Sequence, residues 1–445
     1  MNTRLHSIIA NQRDFAGLID AAPSRVGRLA ALNGQYTEAS GFPYPLGTGT
    51  RMQTVTGAFA EGEVVGFHGQ RAIIQPLGDV GSIACGAAVY ANGRHDMIEV
   101  GEELLGRVID AKGKPLDGGP TPNCHGRQKI AGEESNPLDR GRVVRPIDSG
   151  VRAINALLTI GEGQRIAIVA GSGVGKSVLM GQILQGIDAD IIVVGLIGER
   201  AREVSDFVEG KLTPAIRNKS VVVAVTADQV PLLRLRAAMR ATAIAEYFAR
   251  QGKRVLLLID SLTRIAHAQR EIGLAIGEPP TMKGYTPSSL ALIPQLVERA
   301  GVDRRSGGSI TAIYTVLADG GDLEDPVVDA ARAIVDGHII LSRTLAESSV
   351  FPAIDVGRSL SRLMPDIVDT AHLAAAARFR QLWSSFEQSS DLVMLGAYAA
   401  GSDPVLDDAI AQRPLQFARY LEAAIALQQG TPIQKKRRWW RRLLG

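Results

Sequence analysis

Residues 170–177 read Ala-Gly-Ser-Gly-Val-Gly-Lys-Ser, so glycines alternate with other residues just before a lysine and a hydroxyl side chain. The apolar run 166–169 precedes this segment and a helix-like stretch at 178–186 follows it. A glycine-rich turn between a strand and a helix lets consecutive backbone N–H groups point at phosphate oxygens. The pattern predicts a phosphate-binding loop for a nucleoside triphosphate; a chance glycine-rich turn is the alternative.

Two side chains at the end of this loop add what the glycines cannot supply. Lys176 brings a positive charge to the β- and γ-phosphates, and the Ser177 hydroxyl can ligate Mg²⁺. The first position is Ala170 where the strict pattern has glycine, and a side chain this small is expected to fit. The predicted nucleotide-binding residues of the loop are Ala170, Gly171, Ser172, Gly173, Val174, Gly175, Lys176 and Ser177.

Hydrolysis also needs an aligned water molecule, a metal ion and positive charge for the transition state. Glu199, in the charged segment 198–203, is a candidate for positioning the water, and a surface carboxylate in a turn is the alternative. Asp260 ends the apolar run 255–259 and can orient Mg²⁺ or cap the helix that begins near Leu262. The candidates for the third role are Arg264, Arg358 and Arg362.

The elements that must position these residues follow from the apolar pattern. From residue 166 onward, nearly continuous apolar runs alternate with helix-like stretches, which is typical of a parallel sheet covered by helices on both faces. A long helix is predicted from about Pro231 to Gln251, because proline stands at its start and Gly252 follows its end. The expected strands are 166–170, 191–195, 221–225, 255–260, 309–316 and 337–341.

The two ends of the chain differ from this α/β core. Short β-type runs between residues 34 and 91 predict a small closed sheet, and the Gly- and Pro-rich stretch 101–145 predicts an extended connection. After about Pro365 the Ala- and Leu-rich composition predicts helices only. The predicted domains are an N-terminal helix and β-barrel at 1–94, a P-loop ATPase domain at 95–365, a helical domain at 366–434 and a basic tail at 435–445.

Composition limits the class of protein. With 445 residues, 45% of them hydrophobic and 21% charged, the chain is long enough for two or three globular domains. It has neither an apolar stretch of roughly 18 residues, as a membrane-spanning helix needs, nor the apolar core of a secretion signal, so we expect a cytoplasmic protein. Cys85 and Cys124 lack metal-ligand spacing and are expected to be reduced thiols.

The positive charge is concentrated at one end. The segment 435–442 carries six cations, so the rest of the chain has a net charge of −3 against +3 for the whole. This distribution argues against a general polyanion-binding surface. Together with Trp439, Trp440, Leu443 and Leu444, the tail Lys435–Gly445 fits docking on an anionic membrane surface, and a disordered solubilising tail is the equal alternative.

In their order and spacing, these motifs resemble those of the type III protein-export ATPases, relatives of the catalytic subunit of rotary ATP synthases. The resemblance implies an α/β P-loop core of the RecA and rotary-ATPase kind with an N-terminal small β-barrel and a C-terminal helical domain. The amino-acid sequence of the phosphate-binding loop is more similar to the flagellar than to the injectisome version, so a flagellum-specific ATPase is favoured over an injectisome ATPase. The resemblance runs through nearly the whole chain and rests on the segments 171–177, 195–204, 256–264, 294–301, 396–398 and 401–404.

The resemblance also implies ligands and residue roles. ATP and Mg²⁺ are the expected ligands, with Lys176 and Ser177 at the phosphates and the metal and Asp260 completing the metal shell. Glu199 is implied to position or activate the attacking water, and Arg200 to support the γ-phosphate site. Relatives often carry an aromatic residue in the place of Leu373, so the adenine contacts are expected to be aliphatic, with Leu415 as a candidate.

Arg362 matches the arginine that a neighbouring subunit contributes to the site, and a local ion pair is its alternative role. The implied assembly is therefore a homohexamer with nucleotides at subunit interfaces, cytoplasmic and peripheral to the inner membrane. Further implied partners are central-stalk and export-gate proteins, export cargo with its chaperones, and a peripheral regulator subunit; no nucleic acid is expected. The regulator would bind an N-terminal helix whose apolar residues are Leu5, Ile8, Ile9, Phe15, Leu18 and Ile19, unless these pack on the chain's own barrel.

Three other classes share part of the pattern. A rotary ATP synthase subunit has the same loop and carboxylate, but the export-type segments 294–301 and 396–404 argue against it. A Rho-like RNA translocase needs stacking aromatics and a basic groove, whereas aromatics make up 5% of this chain and the basic cluster is confined to the tail. A non-catalytic scaffold subunit would not need the carboxylate of Glu199.

Overall fold

The computed structural model describes residues 25–412, except 79–80, 95 and 134–135. Leu415, the N-terminal apolar stripe and the basic tail therefore lie outside the described residues. The described residues form two compact units. One comprises those before Asp96 together with 275–277, and the other comprises the remainder, including the helices after residue 365.

The first unit is built from six strands. They are β1 Gly27–Asn33, β2 Tyr36–Ser40, β3 Thr48–Gln53, β4 Phe59–His68, β5 Arg71–Pro76 and β6 Ala88–Arg94. The strands close into an antiparallel barrel in the order β1-β2-β5-β4-β3-β6, which confirms the predicted closed sheet. Every strand contributes to its core, with Leu29, Ala39, Met52, Val64, Ile74 and Val89. On β4, Gly62 is required because a Cβ there would lie 2.8 Å from the Ile74 and Thr50 side chains.

The second unit contains the remaining strands. They are β7 Met97–Val100, β8 Val108–Ile109, β9 Gly126–Lys129, β10 Arg140–Gly141, β11 Arg165–Ala170, β12 Ile191–Glu199, β13 Ser220–Thr226, β14 Arg254–Asp260, β15 Gly301–Asp303, β16 Ser309–Leu317, β17 Gly337–Ile340 and β18 Leu360–Ser361. The α-helices with both ends among the described residues are α1 Arg152–Leu157, α2 Lys176–Gly186, α3 Ala201–Gly210, α4 Pro214–Arg217, α5 Pro231–Arg250, α6 Leu262–Ala275, α7 Pro287–Val297, α8 Pro326–Ile334, α9 Arg343–Glu347, α10 Met364–Ile367 and α11 Thr370–Met394. A further helix begins at residue 404.

The central sheet has the order β18-β17-β11-β16-β14-β12-β13-β8, in which all neighbours are parallel except the β18–β17 pair. Its strands are apolar because both faces are covered. On one face, strand residues such as Ile168 and Leu256 share a core with Leu179 and Ile183 of α2. On the other face α5 packs on β12, β13 and β14. The predicted α/β core is therefore confirmed, and each strand lies within about four residues of its predicted bounds.

The helices begin and end where local chemistry predicts. Pro231 is the first residue of α5, and Gly252 just beyond it takes a left-handed φ of 79°. Asp369 caps α11 by accepting a hydrogen bond from the backbone N–H of His372 at 2.7 Å. Between residue 362 and the end of the described chain at 412 the structure has helices and no strand, and none of the described helices is long and apolar enough to span a bilayer.

Candidate functional site

The loop at 170–177 joins β11 to α2, as the motif predicts. Gly173 and Gly175 have φ angles of 78° and 94°, which side chains rarely adopt, and Gly175 is the residue that caps α2. Ala170 is the last residue of β11 and is 1% exposed, so the core accommodates its methyl group. Val174 turns into the same core, whereas the backbone around it faces a pocket.

This pocket has a volume of about 630 Å³ and lies at the carboxyl end of the parallel strands, the edge at which α/β sheets bind ligands. The end of β16 contributes Leu317. Helix α3 contributes further side chains, Glu203, Asp206 and Phe207. The predicted residues that line it are Ala170, Gly171, Ser172, Gly173, Gly175, Lys176, Ser177, Glu199, Arg200, Asp260 and Arg264.

Lys176 is held between the two predicted carboxylates. Its Nζ lies 2.5 Å from Oδ1 of Asp260 and 3.6 Å from Oε1 of Glu199. The same Asp260 oxygen accepts a hydrogen bond from Thr315 Oγ1 at 2.6 Å. At the start of α6 it is Ser261 that accepts from the Arg264 N–H, at 3.4 Å, so the Asp260 carboxylate is directed at the loop and not at the helix end. The geometry therefore places Asp260 beside the phosphate-binding lysine.

Glu199 is the last residue of β12 and is 7% exposed. Burial raises the pKa of its carboxyl to about 7; a hydrogen bond shared with Glu203 and the nearby Asp260 act in the same direction, and Lys176 opposes them. The shared hydrogen bond lowers the pKa of Glu203, whose side chain is 52% exposed. The Oε1 atom of Glu199 is buried, and within the described residues it accepts no hydrogen bond, although the Lys176 ammonium lies 3.6 Å away. A carboxyl with a pKa near neutrality is suited to accept a proton from water.

The residues around Lys176 suit a magnesium–nucleotide complex better than a bare ion. Within the described ranges, no group of three or more His, Cys, Asp or Glu side chains could enclose a metal. Mg²⁺ usually takes one or two protein carboxylates together with phosphate oxygens and waters. The pocket offers the carboxylate of Asp260 and the exposed hydroxyl of Ser177, which fits that donor set.

The candidate arginines separate into two places. Arg264 lines the pocket, and its Nε is buried without a hydrogen-bond partner. Arg200 also lines the pocket, with a side chain that is 83% exposed and 4.0 Å from Glu203. Arg358 and Arg362 do not line it. Only the first two can therefore meet a phosphate bound by their own chain.

Arg362 lies at the opposite edge of the sheet. Ser361 of β18 pairs with Gly337 at the start of β17, and Gly337 pairs with Ile166 near the start of β11. Strand β11 runs four more residues before the loop begins, a distance of about 13 Å. The exposed Arg362 guanidinium donates to the carbonyls of Val335 at 3.2 Å and Arg332 at 3.1 Å, and no carboxylate of the described residues pairs with it. The ion-pair alternative is therefore not observed.

Phe351 is a pocket neighbour that the motif analysis did not identify. It is 41% exposed, and its ring lies 3.5 Å from the position that a Cβ on Gly175 would occupy. Leu373, on α11, does not line the pocket. An exposed aromatic residue close to the loop is a better surface for a base than the aliphatic contacts expected from sequence. Its separation from the loop in the chain left no local signal.

Comparison with known proteins agrees with this geometry. Residues 150–361 match the nucleotide-binding domain of the ATP synthase alpha/beta family, and residues 368–422 match the C-terminal domain of the type III secretion ATPase EscN. The chain is 50% identical to the flagellum-specific ATP synthase of Salmonella typhimurium over 437 residues, 96% of each chain. It is 46% identical to the type 3 secretion system ATPase of Sinorhizobium fredii over 360 residues, 81% of this chain and 79% of the relative.

A solved structure extends the comparison to three dimensions. The assembled ATPase EscN of enteropathogenic E. coli superposes with a TM-score of 0.84 at 41% identity, covering 89% of this chain and 94% of EscN. EscN has also been solved in complex with its central stalk EscO. With this identity to the relatives over most of its length, the chain belongs to the family of flagellum-specific ATP synthases and type 3 secretion ATPases, whose nucleotide-binding domain is that of the ATP synthase alpha/beta family.

Proposed function

We propose that this protein is the ATPase of a flagellar type III export apparatus and that it hydrolyses Mg-ATP at the interfaces of a homohexameric ring. The observation that carries this proposal is the division of the site between two edges of one sheet. The pocket holds Lys176, Glu199 and Asp260, whereas Arg362 projects from the other edge. One chain cannot bring both sets to one nucleotide, so a neighbouring subunit must supply Arg362.

Within the pocket, each side chain has one task. The loop N–H groups and Lys176 hold the β- and γ-phosphates, and Mg²⁺, when bound through Ser177 and Asp260, neutralises phosphate charge. Glu199 orients a water molecule toward the γ-phosphorus and accepts its proton as the water oxygen forms the new P–O bond. The bond to the ADP oxygen breaks in the same displacement.

Positive charge for the transition state comes from both edges. Arg264 and Arg200 line the pocket and can approach the γ-phosphate from the same chain. Arg362 of the adjacent subunit completes the set, and an arginine supplied in trans can raise the rate ~10³–10⁵-fold. Phe351 stacks on the base beside Gly175, where its ring is half exposed.

The flagellar assignment is supported by the amino-acid sequence of the phosphate-binding loop and by the sequence identity to curated relatives. Flagellum-specific ATP synthases from Salmonella typhimurium and Pseudomonas aeruginosa are each 50% identical to the chain, against 46% for the secretion ATPase of Sinorhizobium fredii. By analogy with EscN and EscO, the ring would take a central-stalk partner. An injectisome ATPase is the second candidate, favoured by the structural match to EscN.

Replacement of Glu199 by glutamine tests the proposal, because glutamine keeps the shape of the side chain but cannot accept a proton. We expect kcat of the assembled enzyme to fall ~10²–10⁴-fold, with nucleotide affinity nearly unchanged. Cells carrying Glu199→Gln should lose export of flagellar subunits, as measured by filament assembly and secreted flagellin.

Asp206→Asn is the matched control, since Asp206 is an exposed pocket carboxylate whose ion pair within the described chain is with Arg202, at 3.6 Å. Normal filaments in the Glu199→Gln cells would overturn the assignment as the working export ATPase. Loss of protein secretion through an injectisome with intact flagella would favour the second candidate.

A further inference from the structure

Residues 359–362, which we call the finger segment, are anchored by buried hydroxyl groups. Ser361 Oγ donates a hydrogen bond to the Thr159 carbonyl at 2.8 Å and accepts one from Gln164 Nε2 at 3.1 Å. Thr159 and Gln164 belong to the stretch between α1 and β11. One side of the finger segment is thus fixed to the residues that lead into the strand of the phosphate-binding loop.

The other serine of the finger segment is fixed to the sheet. Ser359 Oγ accepts a hydrogen bond from the Ile340 N–H at 2.9 Å and donates one to the Asp355 carbonyl at 2.6 Å. Both serines are nearly inaccessible, at 2% and 5% exposure for Ser359 and Ser361. Their hydrogen bonds define where the backbone runs immediately before Arg362.

Arg380 of α11 reaches into this arrangement from the C-terminal helices. One amino group of its guanidinium, Nη2, donates to the carbonyl of Leu157, the last residue of α1. The other, Nη1, lies 3.5 Å from the carbonyl of Ser359. The side chain therefore bridges the end of α1 and the finger segment.

The setting of Arg380 is unusual for a cation. Among the residues that the structure describes, no carboxylate pairs with it, and burial lowers its pKa. A partly buried guanidinium is commonly paired with an acid, whereas this one is satisfied by backbone carbonyls. The guanidinium is thus held by the backbone of α1 and of the finger segment.

A second contact shows that α11 is attached to α1 without Arg380. The Nε2 atom of the buried His372 lies 2.8 Å from the Ala156 carbonyl, one residue before Leu157. The attachment of α11 to the end of α1 is therefore duplicated. The contact to Ser359 is made by Arg380 and not by His372.

We propose that Arg380 is a positioning residue for Arg362, so that the C-terminal helices set the turnover of the neighbouring subunit's site. The inference rests on the proposed function, because it requires Arg362 to act in trans. A shift of α11 moves the Ser359 carbonyl, and the backbone of the finger segment carries that shift three residues along to Arg362. Neither Arg380 nor the finger segment lines the nucleotide pocket of the same chain.

Mixed rings test the proposal directly. A Lys176→Ala subunit lacks its own phosphate contact but offers an intact Arg362, whereas an Arg380→Ala subunit keeps its pocket but offers a misplaced one. We expect Arg380→Ala alone to lose at least tenfold in kcat, with KM and the affinity for a fluorescent ATP analogue within threefold of wild type. Random mixing with an equal amount of inactive Lys176→Ala should then restore about a quarter of the wild-type sites. Each restored site needs its pocket from an Arg380→Ala subunit and its Arg362 from a Lys176→Ala subunit.

Three variants make the result specific. Arg378→Ala removes an exposed cation two residues away that pairs with Asp408, and we expect wild-type turnover from it. A mixture of Arg362→Ala subunits with Lys176→Ala subunits shows whether sites shared between two subunits recover their ATPase activity. The double variant Arg362→Ala with Arg380→Ala should be no slower than Arg362→Ala alone, because Arg380 acts through Arg362.

The outcomes are separable. If the Arg362→Ala mixture recovers and the Arg380→Ala mixture does not, the positioning role is overturned while the proposed function stands. Losses that multiply in the double variant also overturn it. If neither mixture recovers, the trans site itself fails. If Arg380→Ala melts below the assay temperature, Arg380→Lys replaces it, since lysine keeps the charge and can reach one carbonyl. A kcat between those of wild type and Arg362→Ala, at the wild-type melting temperature, supports the positioning role. A wild-type kcat opposes it.

Discussion

The two edges of the central sheet hold their charged groups in different ways. At the carboxyl edge, Lys176 is partly buried against Asp260 and Glu199, so its charge is already engaged by carboxylates. At the amino edge, the Arg362 guanidinium is exposed, and its hydrogen-bond partners among the described residues are the carbonyls of Arg332 and Val335. Hydrogen bonds from an exposed arginine to carbonyls are cheaper to exchange than a buried ion pair. The first edge is thus built to hold a ligand in place, and the second to offer a group to another molecule.

The largest effect expected from this contrast is that of Arg362→Ala. Turnover of the assembled protein should fall by ~10³-fold or more, because a transition-state charge is lost, while ATP affinity stays within about threefold of wild type. Single-turnover hydrolysis and equilibrium binding of a fluorescent ATP analogue measure the two quantities. Arg332→Ala is a control on the same edge, since only its backbone carbonyl contacts Arg362. An unchanged rate of ATP hydrolysis per subunit in Arg362→Ala would contradict the proposed role of the amino edge.

A smaller effect of the opposite kind is expected at the carboxyl edge. Phe351→Ala should raise KM for ATP about tenfold with little change in kcat, because aromatic stacking on a base is worth ~1–3 kcal/mol. Phe351→Trp, which keeps a stacking surface, should stay near the wild-type KM. Initial rates over a range of ATP concentrations distinguish the two parameters. A fall in kcat at constant KM would instead place Phe351 in the chemistry.

The smallest effect sharpens the electrostatics of the same edge. Glu199 must be ionised to accept a proton, so kcat/KM should fall as the pH drops through about 7. The carboxyl of Glu203 raises the pKa of Glu199, and Glu203→Gln should therefore move the acid limb to lower pH. We expect the ratio of kcat/KM at pH 6 to that at pH 8 to rise about twofold or more.

Asp206→Asn is the control for this pH profile, because it removes one negative charge from the same helix without touching the hydrogen bond to Glu199. Equal profiles for wild type and Glu203→Gln would show that Glu199 does not titrate as the base.

The parts of the molecule that sequence predicts well are those governed by local chemistry. The strands of the parallel sheet are recognisable because burial on both faces makes them continuously apolar, as in β12 and β14. The barrel strand β1 lies before the stretch 34–91 in which sequence predicts the β-type runs, because its buried residues alternate with exposed ones over part of its length. Alternation over so few residues gives a weak signal.

The same limit applies to the site. Lys176, Glu199 and Asp260 stand at strand ends and within motifs, so their meeting at one edge is predictable. Which of Arg264, Arg358 and Arg362 approaches the phosphates cannot be predicted from sequence, since it depends on the edge of the sheet at which each arginine lies. Phe351 and Arg380 carry no motif at all. Their roles come from contacts across the fold, with Gly175 in one case and with Leu157 and Ser359 in the other.

Ser361 pairs with Gly337, so the neighbouring Arg362 lies at the amino edge of the sheet. This placement determines how ATPase activity depends on protein concentration. Because the complementary groups lie on opposite edges, a contact that completes a site must join the pocket edge of one chain to the Arg362 edge of another. Chains that associate head to tail complete one site per contact, so an open pair has one working site for two subunits and a closed ring has as many as it has subunits. Under the proposed function, a lone chain is therefore a latent enzyme that binds ATP without hydrolysing it, and turnover begins with the first head-to-tail contact.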